Sequence, residues 1–314
     1  MTLTSRLSLT GPDPEDPEDF LSASLGVIFP DDVANQHGDT DHGLLYTSPH
    51  LPTPLQFSLA QVSAEKDRHL FSHYLWNSSL LLAELIESGT LGIKGSSSLS
   101  ENEKEFDVTG LTTIELGAGT ALPSIMSGLL GAKRVVVTDY PTPPVINTLK
   151  ENVTSLIKSE NAPAGKYAVE EVKVDGHAWG EFDDEDGEDG ARLLAGEYKH
   201  GFDRVYAADC LWMPWQHDNL RKSIAWFIGE GHNSRAWVVA GFHTGRDKMA
   251  PFFNAEKLRE VGLEVEKIWE RDCNGVDREW VEDRGVEDVR ERKRWLVVAV
   301  LKRIPKERRV SSAR

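Results

Sequence analysis

The chain has 314 residues, 39% of them apolar and 27% charged, with a net charge of −16. Those proportions describe a soluble globular protein long enough for a sizeable core, in one large or two small domains. They exclude a bilayer-spanning segment, because no apolar stretch approaches the roughly 20 residues required, and a disulfide framework, because only Cys210 and Cys273 are present.

The charge is concentrated. Twelve acids lie in residues 12–19 and 181–190, and neither run contains Lys or Arg, so the rest of the chain is close to neutral. Without a basic surface to meet phosphates, nucleic acid is excluded as a partner. Residues 1–19 lack the apolar core of a signal peptide and read as a disordered acidic start of a cytoplasmic protein. Residues 20–64, with prolines at 30, 49, 52 and 54, read as an irregular N-terminal extension. His37, His42 and His50 lie within it, and no metal-ligand spacing stands out.

The segment HLFSHYLWNSSLLLAELIESG (69–89) has apolar residues at helical spacing and stops at Gly89, with Trp76 on the expected helix. From residue 111 the pattern alternates. Strand-like runs fall at 111–116, 133–138, 168–174, 203–208, 235–241, 263–269 and 294–301. Helical stretches fall near 121–130, 143–158, 217–229 and 252–261. This alternation predicts an α/β fold, a mostly parallel sheet of seven strands with helices on both faces. The last two strands have no helical pattern between them, which predicts a hairpin and an antiparallel strand at one end of the sheet. A core domain over 65–302 and a basic tail over 303–314 complete the division.

The first strand runs into Glu115-Leu116-Gly117-Ala118-Gly119, and the second ends at Asp139. Glycines at a strand–helix junction allow a tight turn and close backbone approach to a ligand, beside free N–H groups at the helix start. A carboxylate ending the next strand is placed to accept hydrogen bonds from a ribose diol. The pair predicts a nucleoside-containing cofactor. The third glycine of the dinucleotide fingerprint is missing, since Leu122 holds its place.

ELGAGTALPSI with GAKRVVVTDYP, SHYLWNSS before the first strand, VDGHAWG after the third and AADCLWMPWQH at the fourth stand in one order. Together they resemble the class I, Rossmann-like S-adenosylmethionine-dependent methyltransferases, within the family 16 group that modifies protein lysines. The resemblance covers residues 65–301 and extends to the fungal branch that methylates the N-terminus and a nearby lysine of translation elongation factor 1-alpha. Members of that branch have also been called nicotinamide N-methyltransferases.

The resemblance implies S-adenosyl-L-methionine as cofactor and a protein substrate, and a monomer is the expectation beside it. It implies that Trp76 lines the cofactor pocket, that Gly117, Ala118 and Gly119 pass beneath the methionine portion, and that Asp139 holds the ribose. Trp179 would pack near the adenine and Ala208 contribute backbone. Asp209 and Trp212 are then the substrate-facing candidates. Many relatives carry an acid-x-x-Tyr arrangement there, and in this chain an indole replaces the phenol. Two other readings stay open on the residues alone, a small heteroaromatic amine such as nicotinamide as substrate, or a nicotinamide-dinucleotide oxidoreductase. A cofactor-binding adaptor without activity is a third.

Overall fold

A computed structural model describes residues 2–10, 17–18, 34–38, 43–60, 74–93, 105–182 and 198–305. The expected helix start at 69, the acidic run beyond 182 and the basic tail beyond 305 lie outside these. Seven central strands are Thr112–Leu116 (β1), Arg134–Asp139 (β2), Val172–Gly176 (β3), Arg204–Ala208 (β4), Arg235–Gly241 (β5), Leu263–Asp272 (β6) and Trp295–Arg303 (β7). Among the described residues the longer helices that flank them are Asn77–Leu91 (α1), Leu122–Leu129 (α2), Pro143–Leu156 (α3), His217–Phe227 (α4) and Ala255–Glu260 (α5).

The sheet order is β6-β7-β5-β4-β1-β2-β3, with a short eighth strand, Asp277–Glu279, outside β6. Strands β1 to β5 pair in parallel, while β7 is antiparallel to both β5 and β6. The antiparallel strand therefore lies between two others and not at the sheet's end. Its pattern, LVVAVL, is buried throughout, which suits an interior position. From β1 the chain steps outward to β2 and β3, then returns to place β4 on β1's other side. That reversal opens a crevice at the carboxyl ends of β1 and β4, where ligands bind in sheets of this kind.

Two local boundaries differ from expectation. The third strand begins at Val172 and not at 168, because Val169 sends its N–H to Gly128 in α2's last turn. Helix α1 begins after Trp76, whose backbone is extended and pairs, with Leu75, against Gln36–His37. Asn77 locks this entry, donating from Nδ2 to Ala34 O and meeting His37 Nε2 through Oδ1 at 2.7 Å. Trp76 is thus a helix-entry residue.

The N-terminal segments are more regular than their prolines suggested. Leu7–Thr10, Gly43–Tyr46 and Leu55–Phe57 form a three-stranded antiparallel sheet. Its inward residues Leu44, Tyr46, Leu55 and Phe57 join the core beside α1. Residues 2–10 are accordingly part of the fold, not a disordered start. Leu3 is buried, and the Arg6 guanidinium donates to Glu87 Oε2 at 2.9 Å and to Tyr46 Oη at 3.1 Å. Ser48 Oγ donates to the other Glu87 oxygen. Removing one partner of a buried ion pair strands the other charge. Arg6→Ala should therefore cost about 3–5 kcal/mol, and deleting residues 2–10 at least as much, read by urea denaturation. A truncated protein with wild-type stability would show that this clasp contributes nothing.

Candidate active site at the carboxyl edge of the sheet

A cavity of about 290 Å³ opens over the β1–β4 crevice. It is bordered by Trp76, Gly117, Ala118, Gly119, Asp139, Trp179, Ala208, Asp209 and Trp212, so all nine sequence-selected residues meet in one place. Four successive strand ends and the entry of α1 supply them. Sequence reading gave no role to Tyr74, Tyr140, His177, Cys210, Gln216 and Asn219, which border the same cavity. For all but Asn219, their positions in the quoted motifs were the available signal.

The floor is built for close approach. Gly117 holds φ at +66°, where side chains are rarely tolerated. A Cβ there would sit 2.9 Å from Trp179 Cζ2 and 3.0 Å from Cys210 Sγ. Burial pushes the Cys210 thiol well up, keeping it neutral, and its Sγ lies 3.3 Å from Leu116 O. The glycine is therefore required by what surrounds it.

Asp139 closes one side. Its Oδ2 accepts the Gly119 N–H at 2.8 Å and its Oδ1 the Tyr140 N–H at 2.7 Å. Each oxygen keeps lone-pair capacity for a further donor. Burial pushes its carboxyl up to about 6, against the pull of those two backbone donors. A bare acceptor, fixed in orientation and bordering the cavity, suits a vicinal diol. Beside it the His177 N–H donates to Asp139 O at 2.8 Å, while the imidazole meets Ser223 Oγ at 2.9 Å, an oxygen that also accepts the Gly180 N–H at 2.9 Å. Burial lowers the His177 imidazole to about 4, so it is neutral and fixes the turn that carries Trp179.

Beneath the glycine turn lies Glu115, fully buried, whose Oε2 accepts the Ser124 N–H in the first turn of α2 at 3.0 Å. Burial pushes its carboxyl up to about 8. The folded state thus holds this proton more tightly than the unfolded chain, and stability falls as pH rises from about 4.5 to about 8. Asp139 adds a slope of the same sign at lower pH. Glu115→Gln should flatten the pH dependence of Tm across that range and raise Tm at alkaline pH. An unchanged slope would mean Glu115 stays ionised throughout.

Asp209 follows β4 in a left-handed conformation, φ +60°, which non-glycine residues seldom adopt. Its Oδ1 accepts from Ser78 Oγ at 3.1 Å and from the Gly241 N–H at 3.2 Å. Its N–H bonds Val239 O at 2.8 Å. Three elements, α1 and both strand ends, therefore aim one carboxylate at the crevice. Trp212 forms the adjoining wall, edge-on to Trp215, which is 72% exposed. The cavity so joins a nucleoside-type acceptor, a backbone cradle and a second carboxylate framed by aromatic rings.

Comparison with known proteins gives this arrangement a family. The sequence pattern of the lysine methyltransferase family matches residues 61–257, more than half of the chain. The chain belongs to that family. It is 31% identical over 206 residues to the protein N-terminal and lysine N-methyltransferase EFM7 of Gibberella zeae, covering 64% of this chain and 69% of that one. The protein of the same name from Yarrowia lipolytica is also 31% identical, over 210 residues, covering 64% of this chain and 68% of that one. The Schizosaccharomyces pombe protein is 28% identical over 224 residues, covering 70% and 74%.

This lysine methyltransferase-family chain is an enzyme that takes its methyl group from S-adenosylmethionine and gives it to a protein. The cavity suits that cofactor. The Gly117 cradle would be filled by a single Cβ, Asp139 presents acceptors for a ribose, and Trp179 and Trp76 border the cavity. Gly117, Gly119 and Asp139 are the residues that would hold it.

Proposed function

We propose that this methyltransferase modifies the N-terminal amine and an adjacent lysine of translation elongation factor 1-alpha, acting as a monomer in the cytoplasm. The observation that carries the reading is the placement of Asp209 and Trp212 in the same cavity as Gly117 and Asp139. The relatives' names supply the amine class, and the motif resemblance supplies the factor.

Bound S-adenosylmethionine supplies a methyl carbon on a positively charged sulfur, and its leaving group departs neutral. The protein has no nucleophile to provide. What it must do is hold an amine in line with that carbon, a matter of proximity and orientation. Asp209 captures the incoming cationic amine, and the Trp212 face adds a cation–π attraction of about 0.5–2 kcal/mol. An α-amine, with pKa about 7.7–8.0, is partly neutral at physiological pH, whereas lysine at about 10.4 is almost wholly protonated. The N-terminus is the easier target at this site.

Incubating the protein and labelled cofactor with lysate of a strain that lacks the enzyme tests the substrate. The elongation factor should carry the label. A different labelled protein, with the factor unlabelled, would discard the assignment.

A further inference from the structure

An ammonium has no lone pair, so a target amine must lose a proton before it can accept a methyl group. A carboxylate beside it stabilises the charged form and cannot by itself drive that loss. The turn after β5 brings a second group to Asp209. His243 places Nε2 3.8 Å from Asp209 Oδ2. Its ring stacks on Trp76, with centroids 4.9 Å apart and planes inclined by 21°. His243 Nδ1 is buried and has no hydrogen-bond partner among the described residues.

The carboxylate is oriented to use this neighbour. Ser78 and Gly241 occupy Oδ1, so Oδ2 is the oxygen turned to the imidazole, on a residue that borders the cavity. Backbone strain of the kind seen at Asp209 persists where the surroundings over-determine it, and such positions cluster at working sites. Of the nearby titratable and charged groups, the Cys210 thiol beside Asp209 is kept neutral by burial, and two others are committed elsewhere. Arg246, on the same turn, is bonded to Glu270 and Glu287, and His37 on the strand that faces Trp76 is bonded to Asn77. A separation of 3.8 Å exceeds a hydrogen bond, and catalytic hydrogen bonds are often long before substrate arrives and tighten when it does.

We propose that His243 is a positioning residue for methyl transfer, receiving through Asp209 the proton that the target ammonium sheds. This rests on the reading of Asp209 as the amine-facing group. An N–H bond of the ammonium breaks and its electron pair stays on nitrogen. The proton goes to Asp209 Oδ2 and on to His243 Nε2, turning imidazole into imidazolium. The freed pair forms the nitrogen–methyl bond as the methyl–sulfur bond breaks, and sulfur keeps that pair. Imidazolium then gives its proton to water, and the site returns to its starting charge.

The test compares His243→Gln and His243→Asn with wild type on an N-terminal peptide, at neutral pH and near pH 9.5. An α-amine of pKa about 7.7–8.0 is already neutral at the higher value. S-adenosylhomocysteine affinity is measured in parallel. Turnover should fall about fivefold to tenfold at neutral pH, where only about a tenth to a sixth of the free α-amine is already neutral, and the deficit should shrink below about twofold at pH 9.5 with cofactor affinity retained. An equal loss at both pH values, or no loss at either, overturns the proposal. Loss of cofactor affinity in both variants overturns it too, because His243 would then be part of the cofactor wall. Wild-type turnover reports separately on the substrate reading; if the methylated amine is a lysine, of pKa about 10.4, the upper pH is raised to about 11.5.

Discussion

Gly117→Val should abolish measurable S-adenosylhomocysteine binding, a loss of more than about 100-fold, or roughly 2.7 kcal/mol. Two effects add. The first is backbone strain, since a side chain at φ +66° costs about 1–2 kcal/mol in the left-handed region. The second is obstruction. The new Cβ would lie 2.9 Å from Trp179 and 3.0 Å from Cys210, and the buried thiol cannot move aside without disturbing the β1–β4 contact. A matched control separates the two. Gly165 also has positive φ, +79°, but nothing lies within 4 Å of a Cβ built there. Gly165→Ala should lower stability by about 1 kcal/mol through strain and leave the affinity unchanged. A folded Gly117→Val protein that still binds the ligand by calorimetry would make the turn purely structural.

Asp209→Asn should reduce turnover by about 10² to 10³-fold while S-adenosylhomocysteine affinity stays within about twofold of wild type. Asparagine is the informative replacement because it tolerates the left-handed backbone at φ +60° better than alanine does. It also retains an acceptor for Ser78 and the Gly241 N–H, so the local hydrogen bonds survive. What it removes is the charge at Oδ2. A parallel loss of affinity and turnover would put the carboxylate in the cofactor's binding set and reverse its assignment to the amine.

Strands β1, β2, β4, β5 and β7 were legible because they are buried on both faces and read as short apolar runs, as in Val135-Val136-Val137. The cofactor-type residues were legible for a related reason. A glycine turn and a following-strand carboxylate are local sequence events with a fixed spatial consequence. Strand order was not, since the insertion of β7 between β5 and β6 depends on which apolar edge is left to cover. The N-terminal sheet was obscured by prolines, although Leu44 and Tyr46, then Leu55 and Phe57, alternate as a half-buried pair of strands must. Arg6 gave no sign of its role because its partner, Glu87, is 81 positions away. His243 was equally silent. Its relation to Asp209 arises from the adjacency of β4 and β5, and nothing in AGFHTGR signals it.

The most direct test of the account is the mass of the N-terminal peptide of purified, unmodified elongation factor 1-alpha after incubation with this protein and S-adenosylmethionine. The N-terminal peptide should gain methyl groups on the α-amine and the adjacent lysine, and Asp209→Asn should leave the same peptide unmodified over the same time. An N-terminal peptide that stays unmethylated with active wild-type protein, or one that Asp209→Asn methylates as fast, would contradict the account.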